Sequence, residues 1–225
     1  MKNGTLIVII VLFVSIQTAY CGEQDMNRAL ANSGNRSLNV GGVTGQISTA
    51  EAVPPGSIDL GAYVGAYEDA NTIFGRFAIG IMSNADFEVK SGILDSEGGD
   101  DPNFMIGAGI KYHFYNKVTG AMPDMALNWV AEIYDIGENA TLWLAGMGLV
   151  ASYPIRLKNN SSISPYGRLQ LRIEGVSDGD DDKSDFDIGL NLGGQYKPGD
   201  RVQFYLEFQF DDQIGLIAGI NFAVY

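Results

Sequence analysis

The end of the chain, residues 201–225, constrains the fold most strongly, because its apolar and polar residues alternate. The first arm has two distinct faces, one of Val202, Phe204, Leu206, Phe208 and Phe210, the other of Arg201, Gln203, Tyr205, Glu207 and Gln209. After an acidic turn, the second arm has an apolar face of Ile214, Leu216, Ala218, Ile220, Phe222 and Val224. A period of two is typical of β-strands. The pattern therefore predicts a β-hairpin with one strongly apolar face.

The same alternation recurs along the chain from residue 58. It predicts strands at 58–67, 72–82, 87–94, 104–115, 125–135, 142–153, 166–176 and 185–197, followed by the two arms of the closing hairpin. The runs of roughly 8–13 residues suit a tilted strand that crosses hydrocarbon, which needs about 9–11 residues. The third strand has the weakest pattern. The prediction is therefore ten strands, or eight if residues 87–94 form a loop and another segment merges.

The start of the chain has the pattern of a secretory signal peptide. Met1 and Lys2 precede an apolar run at 6–14, which is shorter than the roughly 20 residues of a spanning helix. Ala19 and Cys21 are small residues placed for cleavage before Gly22. Lipidation of Cys21 is the alternative, but the bulky Tyr20 before it disfavours this modification. We predict a signal peptide at 1–21.

The next segment, 22–56, is rich in Asn, Gly, Ser, Thr and Ala and shows no clear periodicity. Such a composition favours a flexible periplasmic linker. A segment folded back as a plug is the alternative. We therefore divide the chain into a signal peptide at 1–21, a flexible linker at 22–56 and a barrel at 57–225.

Composition excludes some functions. The formal net charge of −13 argues against nucleic acid, whose phosphates require a basic surface. The single cysteine leaves no thiol cluster for a metal. The 29 glycines, 11 tyrosines and 11 phenylalanines suit an antiparallel barrel better than a helical bundle.

Alternation alone fits two kinds of barrel, since a soluble barrel turns its apolar face inward and a transmembrane barrel turns it toward lipid. The signal peptide, the even strand number, the many apolar residues on one parity and the terminal aromatic residue favour the membrane. Within lipid, only helices and closed barrels satisfy the hydrogen bonds of their backbone, and no later apolar run is long enough for a membrane-spanning helix. We predict the all-β class, with a closed antiparallel transmembrane β-barrel. Its connections alternate between an acidic end, expected outside, and an end that holds both termini.

The last residues resemble the final strand of bacterial outer-membrane β-barrel proteins, including small porin-like barrels. In that family a glycine and alternating apolar or aromatic residues precede a terminal aromatic, as Gly219, Phe222, Val224 and Tyr225 do here. The register departs from the family pattern, because Tyr225 lies one place beyond the alternating pair. The resemblance implies residence in the cell outer membrane, contact with its lipid, and recognition by the barrel-assembly machinery and periplasmic chaperones.

The polar parity of the strands would line the lumen. It collects charged residues of both signs: Asp59, Arg76, Glu88, Lys90, Lys111, Glu132, Arg168, Arg172, Glu174, Asp187 and Glu207. Rings of charge select ions in a pore, whereas paired charges fill a narrow interior. The mixture of signs on most strands favours pairing, which still permits a narrow channel.

Other candidate chemistry is weak. His113, the only histidine, falls on the lumen parity near the periplasmic end, whereas substrates arrive at the outer rim. Asp178, Asp180 and Asp182 have the alternate spacing of a calcium loop, but Lys183 and Gly189 replace its glycine and glutamate. We predict a solvated acidic loop there, no enzyme, no metal and no cofactor. An outer set of aromatic residues is expected to form interfacial girdles: Tyr112, Phe114, Trp129, Trp143, Tyr153 and Tyr196.

The functional prediction is a non-enzymatic outer-membrane barrel, either a structural envelope protein or a narrow passive channel for small solutes. The alternative is a surface adhesion or recognition barrel that acts through its acidic external loops. The transported solute or surface ligand, and the oligomeric state, do not follow from the sequence.

Overall fold

The structure, a computed structural model, describes residues 42, 44–68, 70–96, 102–115, 122–135, 140–178, 181–211 and 214–224. These residues contain eleven strands. They are β1 (Ile58–Tyr67), β2 (Ala70–Met82), β3 (Ala85–Ser96), β4 (Asn103–Tyr115), β5 (Asp124–Asp135), β6 (Ala140–Ser152), β7 (Ile155–Arg156), β8 (Ser162–Asp178), β9 (Asp181–Lys197), β10 (Val202–Phe210) and β11 (Ile214–Val224).

Ten of these strands form one closed antiparallel ring. Each pairs with its neighbours in chain order, and β1 pairs with both β2 and β11, which closes the sheet. The extra strand, β7, has two residues that pair with the start of β8, so β6 pairs with β8 in the ring. The closing register joins Ile58 to Val224 and Tyr67 to Gly215. The predicted ten-stranded barrel is confirmed, including the third strand, which is longer than expected.

The parity of the strands settles which face points outward. Ile73 and Ile214 are 60% and 56% exposed, whereas Arg172 and Glu207 are 1% and 0% exposed. The apolar residues therefore cover the outside and the charged residues fill the inside, opposite to a soluble barrel. Among the described residues, no helix is long and apolar enough to cross a membrane.

The two ends of the barrel differ in their connections. We call the end where β1 begins and β11 ends the terminal end, and the other the opposite end. At the terminal end, β2 and β3 are joined through Ser83 and Asn84. Asp86 falls between the predicted strands 72–82 and 87–94, but it belongs to β3, and its side chain is fully buried.

The acidic segment 177–185 consists mostly of strand residues rather than the loop that the sequence predicted, although Ser184 and Asp185 are exposed as expected. The ladder between β8 and β9 continues to the pair Asp178 and Asp181, so most of this segment is a hairpin. Cross-strand pairing explains the difference, because β6 reaches the same level and supplies Ala140 as a partner for Asp178. Asp180 lies outside the described residues.

Exposed aromatic side chains gather on the outer surface near the terminal end. Tyr112, Phe114, Tyr153 and Tyr196 are each between 38% and 47% exposed there. The ring of Tyr196 stacks on Phe204 of the neighbouring strand, with 6.4 Å between centroids. Trp129 and Trp143 are also on the outer face, but they lie farther from the terminal end than these four residues.

The chain before β1 runs through the barrel. We call residues 44–53 the lumen segment. Just before it, Gly42 accepts a hydrogen bond from Gln209 Nε2 (2.7 Å) near the opposite end, and Val53 N donates to Asp86 Oδ2 (2.9 Å) near the terminal end. A turn closed by Ser57 N and Pro54 O (3.0 Å) then leads into β1.

This path corrects the predicted flexible linker for the described part of 22–56. Of residues 44–50, every one is buried. The physical reason is that polar groups on the inner wall need partners, and the backbone of the lumen segment supplies them. The predicted signal peptide at 1–21, with Cys21, and the terminal Tyr225 lie outside the described residues.

We expect the apolar outer surface to lie in lipid, where a charge is costly. Leu206 is in the middle of β10 and is 48% exposed. The substitution Leu206→Arg should lower the free energy of unfolding by about 2–4 kcal/mol, as for cations at the bilayer midplane. Equilibrium unfolding by urea in phospholipid vesicles measures this.

Ile214 provides the matched control, because it also faces outward but begins β11 at the opposite end. Near an interface the cost of Arg falls to about 0–1 kcal/mol, so Ile214→Arg should have a smaller effect than Leu206→Arg. Equal effects of the two substitutions would contradict a lipid-facing surface with its midplane near Leu206.

Candidate functional site

Glu207 is the centre of the lumen and the main anchor of the lumen segment. Its side chain projects inward from β10 because it has the parity opposite to the apolar face, and it is fully buried. Its two carboxylate oxygens accept hydrogen bonds from Gln46 N (2.8 Å) and Ile47 N (2.7 Å). They also accept from Tyr166 OH (2.6 Å) and Asn191 Nδ2 (2.8 Å). These donors compensate for the removal of the carboxylate from water.

Gly45 allows the lumen segment to approach this carboxylate. Its φ of +59° lies in the left-handed region that favours glycine. A Cβ added at this position would overlap both Glu207 Oε1 and Ile217 Cδ1. Both backbone conformation and space therefore require glycine here.

Two lysines of the wall bind carbonyl groups of the lumen segment. Lys90 Nζ donates to Gly45 O (2.8 Å), and Lys111 Nζ donates to Thr49 O (3.1 Å). Both lysines are also close to carboxylates, with Lys90 3.4 Å from Glu88 and Lys111 3.3 Å from Asp86. The ammonium groups therefore join the segment to acidic side chains of the wall.

Further contacts fix the segment toward the terminal end. Ala50 N donates to Ser152 Oγ (3.1 Å), and the Ala50 side chain packs with Ala126 and Val150. Beside this part of the segment lies a cavity of about 100 Å³, whose lining includes Asp59, Arg76, Lys111, Gln195, Lys197 and Gln203. Ser48 and Thr49 of the lumen segment also line this cavity, so it lies between the segment and the wall.

All eleven charged residues predicted for the lumen face the interior of the barrel. The structure joins several of them directly: Arg76 Nε to Glu88 (2.7 Å), Arg172 Nη2 to Asp187 (2.7 Å), and Arg172 to Glu174. Arg168 reaches Glu207 indirectly, because its Nε donates to Asn191 (3.0 Å) and Asn191 donates to Glu207.

Glu132 and Asp59 have different surroundings. Glu132 accepts hydrogen bonds from Tyr134 OH and from Thr44 of the lumen segment. Asp59 lines the cavity at the terminal end. The eleven residues therefore do not form one ring; they divide into local groups along the barrel, several of which contact the lumen segment.

Sequence reasoning missed several residues that hold the segment. Asp86 lay between the predicted strands 72–82 and 87–94. Ser152 and Gln209 are neutral residues on the inner parity of their strands, and so is Asn191, which acts on the segment only through Glu207. A search of the inner parity for every polar residue, rather than charged residues alone, would have found the last three. The lumen segment itself has one recognisable feature, which is glycine among small hydroxyl residues.

The family-like residues at the end of the chain have structural roles in the described part of β11. Gly219 faces inward, and a Cβ there would overlap the ring of Tyr63. The space lets Tyr63 stack on Phe74 with 5.1 Å between centroids. Phe222 and Val224 face outward and are each 49% exposed.

The other candidate sites from the sequence have no supporting cluster in the described residues. His113 lies at the terminal end of β4, where its backbone N donates to Asn84 O (2.7 Å). Its Nε2 is buried and has no hydrogen-bond partner. In the part of the chain that the structure describes, no group of three or more His, Cys, Asp or Glu side chains is arranged to hold a metal.

A match to a family model identifies the protein family of this barrel, whose apolar residues face outward. The model for the outer membrane protein beta-barrel domain matches residues 58–216, which is more than half of the chain. The chain belongs to this family. Its location is the cell outer membrane, and the resemblance noted in the final strand is confirmed at the level of the family.

Solved structures of similar barrels have little sequence identity to this family member. The KdgM porin is 10% identical with a TM-score of 0.41, covering 75% of this chain and 99% of that chain. The beta domain of the Bordetella autotransporter BrkA is 12% identical with a TM-score of 0.41, covering 76% and 100%. The N-terminal barrel of Pseudomonas aeruginosa OprF is 9% identical with a TM-score of 0.35, covering 76% and 100%. No curated protein matches the chain.

The bonds to Glu207 can be tested by hydrogen exchange. In Glu207→Gln an amide group replaces one oxygen and faces a backbone N–H of the lumen segment. The loss of a hydrogen bond to a charged group, about 1.5–3 kcal/mol, should speed exchange at Gln46 and Ile47 by roughly tenfold or more. Exchange measured by NMR in detergent micelles checks this.

Asp187→Asn makes the same chemical change elsewhere on the inner wall. Asp187 bonds to Arg172 rather than to the lumen segment, so exchange at Gln46 and Ile47 should stay as in the unsubstituted protein. Unchanged exchange in Glu207→Gln would mean that this carboxylate does not hold the segment.

Proposed function

We propose that the protein is a narrow, non-enzymatic outer-membrane channel that its own lumen segment keeps closed. The observation that carries the proposal is the burial of residues 44–50 inside the ring of strands. A barrel that serves only as a structural element can fill its interior with side chains of its own strands. This wall instead surrounds a further stretch of polypeptide, so its bore accommodates a chain of that width.

The lining supports passage of small polar solutes once the segment leaves. Glu207, Lys90, Lys111 and Asp86 would then lose bonds to the segment and face water. Charged groups are costly without partners in a dry interior but are well solvated in a water-filled one. A bore lined in this way would conduct ions, with both signs of charge along it.

The bonds that hold the segment are hydrogen bonds and ion pairs, and none is covalent in the described residues. A hydrogen bond contributes about 0.5–1.5 kcal/mol net, or about 1.5–3 kcal/mol to a charged group, so the bonds to Glu207, Lys90, Lys111 and Asp86 together favour the seated position. Release of the segment requires no covalent change and breaks no bond between the strands of the ring.

Conductance in a planar lipid bilayer tests the proposal. The signal-free protein should be silent or nearly so. Gly45→Val should give discrete, salt-dependent current steps, because it prevents the segment from seating. The valine side chain would overlap Glu207 and Ile217, and the positive backbone φ at position 45 is strained for valine. The cost of such strain is about 1–3 kcal/mol even without the overlap.

Gly56→Val is the matched control. Gly56 also has a positive φ, +77°, but a Cβ there would meet nothing within 4 Å. The Gly56→Val channel should therefore remain closed. A shift in gel mobility on boiling confirms that each variant is folded. A folded but silent Gly45→Val, together with a silent Glu207→Gln, would overturn the channel; an open unsubstituted protein would overturn the closure.

A further inference from the structure

The wall of the lumen recognises the lumen segment chiefly through its main chain. Four backbone N–H groups donate to the wall: Gln46 N and Ile47 N to Glu207, Ala50 N to Ser152, and Val53 N to Asp86. The acceptors are spread along the barrel from its middle to its terminal end. The wall therefore offers a series of acceptors that follows the backbone of the segment along the barrel.

The same wall offers donors to backbone carbonyl groups. Lys90 binds Gly45 O, Lys111 binds Thr49 O, and Gln209 binds Gly42 O (2.7 Å). Backbone groups are common to all peptides, so bonds of this kind supply affinity with little dependence on side-chain identity. Side-chain contacts to the wall are fewer: Thr44 bonds to Glu132 and Lys90, Ser48 to Lys111 (3.3 Å) and Glu51 to Lys197 (3.2 Å).

The space along this path is tightest beside Glu207. Gly45 lies against Glu207 and Ile217 with no room for a Cβ, whereas the larger side chains of Gln46 and Ile47 are accommodated and buried. A peptide in this position therefore needs glycine where Gly45 passes Glu207.

We propose that the lumen is a binding site for peptides that it recognises through the main chain, with a glycine at the position next to Glu207. The chain's own lumen segment occupies this site in the structure, and a second peptide binds in its place when the segment is displaced. The inference rests on the proposed function in one respect, since both require that the segment can leave.

The test uses the same signal-free Gly45→Val protein, in which the resident segment cannot seat, and a synthetic peptide with the natural sequence of residues 42–53. The peptide should block the current of Gly45→Val and should raise the anisotropy of an attached fluorophore on binding. The unsubstituted protein is the competition control. Its tethered segment has an effective concentration of about millimolar, so it should bind the free peptide much more weakly.

Two altered peptides separate main-chain from side-chain recognition. Methylation of the backbone nitrogens of Gln46 and Ile47 removes both donors to Glu207 and should weaken binding by at least about tenfold. Replacement of Ser48 by Ala and of Glu51 by Gln leaves the backbone intact and should change binding by less than about threefold. Equal losses from both changes would overturn main-chain recognition.

Peptide binding and current are separate readouts, so the peptide site and the channel can fail independently. A conducting Gly45→Val that neither binds nor is blocked by the natural peptide would overturn the peptide site and leave the channel intact. A folded, silent Gly45→Val that binds the labelled peptide would support the peptide site, although the channel had failed. Binding to the seated, unsubstituted protein with equal affinity would overturn the lumen as the location of the site.

Discussion

The structure depends on the closure of the sheet between β1 and β11. Hydrogen bonds along this seam, from the Ile58–Val224 pair to the Tyr67–Gly215 pair, leave no open sheet edge between the first and last strands. In lipid an unpaired backbone group is costly, so an open sheet of the same strands would not be stable there. Closure also divides the side chains into two environments, because successive residues point to opposite faces.

Inside the ring, polar and charged side chains need bonding partners, and the lumen segment supplies some of them. Charged and polar side chains enclosed by the ring require partners, and some find them in one another, as Arg76 and Glu88 do. Glu207 obtains two of its hydrogen bonds from backbone N–H groups of the segment. The segment satisfies its own buried backbone in the same bonds, so wall and segment stabilise each other.

This exchange of partners connects the fold to the proposed function. A wall whose charges were all paired among themselves would have little interaction with anything in the bore. Here Lys90 and Lys111 contact both wall carboxylates and segment carbonyls, so their groups remain available to water, to ions or to another backbone after the segment leaves. Conduction and peptide binding are therefore two consequences of the same set of side chains.

The sequence by itself determined the strands and the two faces of most of them; at 142–153 apolar or small residues occur on both parities, and the faces follow only from the structure. Alternation depends only on the period of the β-strand, so it identified the ring, the outward Leu206 and the inward Glu207 without knowledge of any contact. The third strand and the acidic hairpin at 177–185 were underestimated, because their ends are stabilised by pairing with neighbours rather than by local pattern. Only the tertiary structure decided that residues 44–53 lie in the lumen. Their small polar side chains have no periodicity, and what holds them there is backbone bonding to Glu207, Lys90, Lys111 and Asp86, residues distant in the chain that only the closed ring brings around them.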